Sequence, residues 1–271
     1  MRLSRPILAV VGRKSSGKTT VIERLVPRLI KEGFTAATIK HISHHDFSID
    51  RKGSDTWRHS RAGANPVTAF SNNEVSIIIK ATDFPLEKIS RLIFEFGANI
   101  LVLEGFSSVV LNDESVGKII CVRSKAEYME FKESVKGEVI AFCSFQEIEK
   151  PILNIEKDFE ILAEKTLSFI KKRIRILKIL NSLPGIDCGK CGRKTCEELA
   201  KEIYEGAASL EECTILRAKP KLNTKIVIEG KEVPIQPFVS EFVRKTILGM
   251  VSSLKRVNIK GDEKVYIEIL K

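Results

Sequence analysis

Eight consecutive residues near the start of the chain, Gly12-Arg13-Lys14-Ser15-Ser16-Gly17-Lys18-Thr19, satisfy the spacing G-x-x-x-x-G-K-[ST]. Such a run makes a nest of backbone N–H groups at a helix N-terminus, where unpaired amides and the helix dipole favour a polyphosphate. The amides of Ser15 to Thr19 then point into the nest, with Gly17 letting the main chain approach closely. The Lys18 ammonium reaches the β- and γ-phosphates, and the Thr19 hydroxyl ligates Mg²⁺. A carboxylate belongs at the end of a neighbouring buried strand. Ile100-Leu101-Val102-Leu103-Glu104-Gly105-Phe106 provides it, and Glu104 is read as holding Mg²⁺ or orienting an attacking water. Lys18, Thr19 and Glu104 form the catalytic set.

A second concentration of reactive side chains covers residues 39–64. All four histidines and the single Trp fall there, between the end of an expected strand and a helix expected to start near Asp55. In an open parallel sheet that end faces the ligand crevice. The stretch is read as a loop holding an anionic second ligand or ordering around the γ-phosphate, with a solvated loop as the competing reading. A metal role for His41, His44 and His45 lacks a defined spacing.

The third group is Cys188, Cys191, Cys196 and Cys213, spaced C-x2-C-x4-C-x16-C. In a chain without an export signal, four clustered cysteines indicate a metal before disulfides. Glycines beside the first two permit tight turns that free amides to hydrogen-bond sulfur. Four thiolates suit a [4Fe–4S] cluster or tetrahedral Zn²⁺, and the uneven three-then-one spacing is less like paired zinc knuckles. Cys121 and Cys143 stand alone in apolar, strand-like surroundings and are read as buried small hydrophobes.

These groups need elements to hold them. Ile7–Val11 is an unbroken apolar run, as in a strand buried on both faces, and residues 18–32 carry a helical stripe despite Pro27. Further strands are expected at Phe34–Lys40, Ile77–Lys80, Ile100–Leu103, Lys118–Val122 and Glu138–Phe142, with a long helix over 156–180. The alternation predicts an α/β fold: a doubly wound, mostly parallel sheet of the P-loop NTPase type. A small four-cysteine iron–sulfur module and a small α+β C-terminal unit follow. The latter comprises a hairpin from Lys225–Glu229 and Glu232–Ile235, a helix over Val239–Leu254 and a final hairpin near Gly261-Asp262. The corresponding boundaries are 1–172, 183–217 and 218–271.

Composition narrows the class. The 271 residues are 43% hydrophobic and 30% charged, enough for a buried core. No apolar run nears the roughly 20 residues of a membrane span, and the short run after Pro6 is a strand and not a secretory segment. A cytoplasmic location is expected. The net charge of +10 favours an anionic partner without choosing between phosphates, acidic cofactors and RNA; it is spread over both halves, whereas a nucleic-acid binder more often concentrates its charge, so no nucleic-acid partner is expected. The run Lys171-Lys172-Arg173-Ile174-Arg175 reads as a solvated helix face.

The phosphate loop, the series Ile39-Lys40-His41, His44-His45-Asp46, Asp50, Gly53-Ser54-Asp55, Arg58 and Ala62-Gly63-Ala64, and Leu103-Glu104-Gly105-Phe106 together resemble the molybdopterin-guanine dinucleotide biosynthesis adapter family, protein B. Lys118-Ile119 matches a later strand of that family, and the resemblance covers about residues 5–170. It implies a GTP-binding, weakly GTP-hydrolysing protein, usually a homodimer. Such a protein assists the molybdenum cofactor guanylyltransferase that joins GMP to molybdopterin or its metal-bound form. It also implies that Gly12 and Ser15 to Thr20 bind the triphosphate, that His41, Asp55 and Arg58 lie near the ligand and that Glu104 is the acidic residue near Mg²⁺. GTP rests on the resemblance, since no Asn/Thr-Lys-x-Asp guanine signature is present. The four-cysteine segment resembles the iron–sulfur domain of corrinoid iron–sulfur proteins. The competing reading is a nucleotide-gated adapter or electron-transfer partner of a metalloenzyme with negligible turnover.

Overall fold

The computed structural model describes residues 5–44, 47–80, 84–217, 224–228, 231–233, 237–254 and 257. The chain divides into two compact units, 1–182 and 183–271. The first runs β1 (Ile7–Gly12), α1 (Lys18–Lys31), β2 (Ala36–Lys40), α2 (Asp55–Arg61), β3 (Val67–Phe70), β4 (Val75–Ile78), α3 (Leu86–Glu95), β5 (Ile100–Glu104), α4 (Ser107–Val110), β6 (Gly117–Cys121), α5 (Lys125–Ser134), β7 (Val139–Ser144), β8 (Leu153–Asn154) and α6 (Phe159–Ser182). The second holds α7 (Cys196–Tyr204), a short 3-10 turn at Leu210–Glu212, α8 (Thr214–Arg217), β9 (Ile226–Ile228), β10 (Lys231–Val233) and α9 (Pro237–Ser252).

Six strands form one sheet in the order β2-β5-β1-β6-β7-β8, every pairing parallel. Side chains alternate across a strand, so β1 feeds two cores at once. Leu8 and Val10 meet Val21, Leu25 and Leu29 of α1 and Leu162 and Ile170 of α6. Ile7, Ala9 and Val11 meet Phe94 of α3, Val110 of α4 and Phe131 of α5 on the other face. Apolar residues on both faces explain why β1 and β5 read as apolar runs. Helices cover both sides, and the fold is α/β and doubly wound.

Two expectations change. Ile77–Lys80 was expected among the parallel strands. The strand there is Val75–Ile78, and it pairs antiparallel with β3, outside the main sheet. Its alternating exposure, with Val75 and Ile77 exposed, is that of a hairpin with one face toward solvent. Arg173 of the basic run is buried on α6 instead of solvated, its aliphatic stem lying with the apolar stripe. The short edge strand β8 escaped notice because two residues carry no periodicity. Pro27 lies inside α1, which continues to Lys31. In the second unit β9 and β10 form an antiparallel pair, and the hairpin expected near Gly261-Asp262 lies outside the described residues.

Leu101 is fully buried on β5, between β1 and β2. Leu101→Ala is expected to cost about 2–5 kcal/mol through lost burial and the cavity left behind, read as a lower urea midpoint at unchanged slope.

Candidate functional site

The C-terminal ends of β1, β2, β5 and β6 meet at one edge of the sheet. In register, Val10 of β1 lies beside Glu104 of β5, Lys40 of β2 lies beside Glu104 on its other side, and Gly12 lies beside Cys121 of β6. Residues 12–17 cross this edge and enter α1. Two glycines make the crossing possible. Gly12 has φ +149°, and a Cβ there would stand 2.3 Å from the Cys121 carbonyl oxygen. Gly17 has φ +95°, and a Cβ would strike the Phe145 ring at 2.4 Å. Ser15 also has positive φ, 58°, a cost that a non-glycine residue bears when the surrounding loop dictates it.

Two side-chain contacts brace the loop. Lys18 Nζ donates to the Arg13 carbonyl oxygen at 2.6 Å, spanning the loop from helix to entry. Arg13 reaches outward and donates to Glu130 of α5 at 2.6 Å, and this partner holds its guanidinium above the usual range. Ser16 is buried, and its Oγ has no hydrogen-bond partner. Thr20 lies in the first turn of α1.

Thr19 and Glu104 come together across the sheet edge. Thr19 Oγ1 donates to Glu104 Oε1 at 2.9 Å, and the carboxylate is largely buried. Lys40 was missed as a site residue. Its Nζ stands 3.0 Å from the same Oε1, so one carboxylate oxygen serves both a hydroxyl and an ammonium. The Ile39-Lys40-His41 run was visible in the sequence, but only strand register shows that Lys40 and Glu104 are neighbours. His41 sits next to this group. Its amide donates to the Glu104 carbonyl oxygen at 2.9 Å, and its ring lies 4.9 Å from that of Phe106.

Asp55 and Arg58 lie on α2, largely exposed, with Arg58 Nη1 3.5 Å from Asp55 Oδ1. Other members of the same series have a structural task. Asp50 Oδ1 accepts from Ser54 Oγ and Thr56 Oγ1, both at 2.8 Å, and Ser54 Oγ caps α2 by accepting from the Trp57 amide at 3.1 Å. His44 and His59 are exposed, and His45 and Asp46 lie outside the described residues.

The four clustered cysteines of the second unit line one open cavity. Cys196 and Cys213 are buried, Cys191 is half-buried and Cys188 is exposed. Among the described residues, no three His, Cys, Asp or Glu side chains are placed to hold a single metal ion. Arg193 clamps the rim, donating to Glu202 and to the Cys191 carbonyl oxygen and standing 2.7 Å from Glu212. Between two carboxylates its guanidinium is held above its ordinary range, and Glu212 is held below its own by Arg193 and the Ser209 amide. Cys121 and Cys143 are buried cross-strand neighbours on β6 and β7, with sulfurs 3.6 Å apart.

Comparison with known proteins agrees with this division. Residues 183–215 match a family model described as "Putative Fe-S cluster". Over 265 residues the chain is 28% identical to a Methanocaldococcus jannaschii protein called "Putative molybdopterin-guanine dinucleotide biosynthesis adapter protein", covering 98% of each. It is 33% identical over 122 residues to the molybdopterin-guanine dinucleotide biosynthesis adapter protein of Haemophilus influenzae, covering 44% of this chain and 65% of that one. With the adapter protein of Escherichia coli it shares 25% identity over 172 residues, 62% of this chain and 95% of the other. Residues 7–145, from the strand that feeds the phosphate loop to the far side of the sheet, match the model described as Molybdopterin guanine dinucleotide synthesis protein B, and the chain belongs to that family.

Proposed function

We propose that the chain is an adapter in molybdenum or tungsten cofactor maturation, which binds GTP with Mg²⁺ in its first unit and a [4Fe–4S] cluster in its second. It serves a guanylyltransferase that joins GMP to molybdopterin or its metal-bound form. The observation that carries the nucleotide half is the shared oxygen of Glu104, hydrogen-bonded to Thr19 at the mouth of a loop of backbone amides. A hydroxyl and a buried carboxylate side by side are the oxygen donors that Mg²⁺ prefers.

When bound, Mg²⁺ supplies positive charge against the β- and γ-phosphates. The protein's own groups do the rest. Backbone amides of residues 15–19 orient the triphosphate, and Lys18 exchanges its contact with the Arg13 carbonyl oxygen for one with phosphate. Lys40 shares the Glu104 oxygen with Thr19, so its ammonium would compete with a divalent ion held by that carboxylate. His41, beside Glu104, belongs to the same ligand-facing edge, whereas exposed Asp55 and Arg58 fit a partner or the pterin better than the nucleotide. A homodimer and a guanylyltransferase partner follow from the family reading.

The three-then-one spacing of the cysteines, unlike paired zinc knuckles, and the likeness of residues 183–215 to a putative Fe-S cluster domain support a cluster over zinc. Anaerobically purified protein is therefore expected to be brown and to carry about four irons per chain, with Cys196→Ser losing most of the iron. A colourless chain with one zinc overturns this half.

Two measurements test the nucleotide half. Lys18→Ala removes a charge-assisted contact worth about 1.5–3 kcal/mol, so calorimetry should show GTP binding weakened about ten- to hundredfold. Unchanged affinity would contradict the site. In the GTP complex, Lys40→Met is expected to tighten Mn²⁺ about two- to fivefold, the range of a part-exposed ion pair, as followed by electron paramagnetic resonance. Hydrolysis rates with GTP and ATP, with and without the guanylyltransferase, separate a slow GTPase from a nucleotide-gated adapter without turnover.

A further inference from the structure

The buried half of the cysteine cavity is formed by Cys196 and Cys213, and the main-chain donors of both are already engaged. The Cys196 amide donates to Asp187 Oδ1 at 2.7 Å, and the Cys213 amide donates to the Leu210 carbonyl oxygen at 3.1 Å. Thr214, next in sequence to Cys213, lines the same cavity, and its Oγ1 is shielded from solvent with no hydrogen-bond partner. Burying a hydroxyl without an acceptor costs free energy, and native structures seldom tolerate it without a reason. Cys188 and Cys191 are open enough for water to serve their sulfurs, whereas Cys196 and Cys213 are buried.

We propose that the Thr214 hydroxyl donates a hydrogen bond to a sulfur of the iron–sulfur group in this cavity and thereby raises its reduction potential. The proposal rests on the cluster reading above. Sulfur gains negative charge on reduction, and a donor aimed at it stabilises the reduced state more than the oxidised one. Thr214 is a positioning and tuning residue. It ligates no iron, so its removal leaves four cysteines to hold the group.

The test is an anaerobic redox titration of the full iron-loaded chain, read by absorption and electron paramagnetic resonance. Thr214→Val keeps the shape and deletes the hydroxyl, and its midpoint potential is expected to shift negative. Thr214→Ser restores the hydroxyl and should return close to the parent value. If the valine variant fails to load iron, Thr214→Ala reads the same loss with a smaller side chain. Iron-loaded valine or alanine variants at the parent potential overturn the inference alone, as does a serine variant that shifts as far as valine. A parent chain without iron overturns the cluster reading and this inference together.

Discussion

A carboxylate at the buried end of a central strand must be compensated, and Glu104 organises its surroundings by that demand. Its Oε1 accepts from Thr19 at the start of α1 and pairs with Lys40 at the end of β2, tying three segments distant in sequence to one atom. The parallel register of β2, β5 and β1 places those segments side by side, and the two cores that bury alternate faces of β1 fix the register. Packing and chemistry thus share one constraint, because a slip in the sheet would separate Thr19 from Glu104.

Much of this is legible in the sequence because local rules dictate it. Continuous apolar runs mark the strands buried on both faces, and the phosphate loop is a contiguous motif whose geometry follows from its glycines. Glu104 is found because a carboxylate ending a buried strand is conspicuous. Lys40 was missed as a site residue because its role depends on a cross-strand neighbour more than sixty residues away, which no local pattern reveals. The region after β2 is the opposite case. Asp50 and Ser54 look like ligands by type, yet they cap and brace α2, since a carboxylate and a hydroxyl at helix-start spacing satisfy backbone and side-chain donors equally well. Val75–Ile78 reads as a strand either way, and only its pairing shows that it belongs to a separate hairpin.

The second unit obeys a different economy of forces. Its short helix α7 is capped by Thr195, whose side chain accepts from the Glu198 amide, and Leu199 and Ala200 are buried. The Arg193 bridge to Glu202 and Glu212 links α7 to the 3-10 turn that precedes Cys213. Cys213 and the three earlier cysteines are brought to one cavity by these polar links as much as by apolar burial. The spacing alone identified the four residues, while the hydroxyl beside the last of them becomes visible only once the cavity is formed.

The paired thiols on β6 and β7 carry a practical corollary. Cys121 and Cys143 are sealed beneath the phosphate loop, and contact with Cys121 together with burial holds the Cys143 thiol well above its ordinary range, hence protonated and unreactive. Cys188, by contrast, faces solvent. An oxidant in solution therefore meets the six thiols unequally: Cys188 lies open to it, while the two sulfurs between β6 and β7 are shielded by the sheet and its helices.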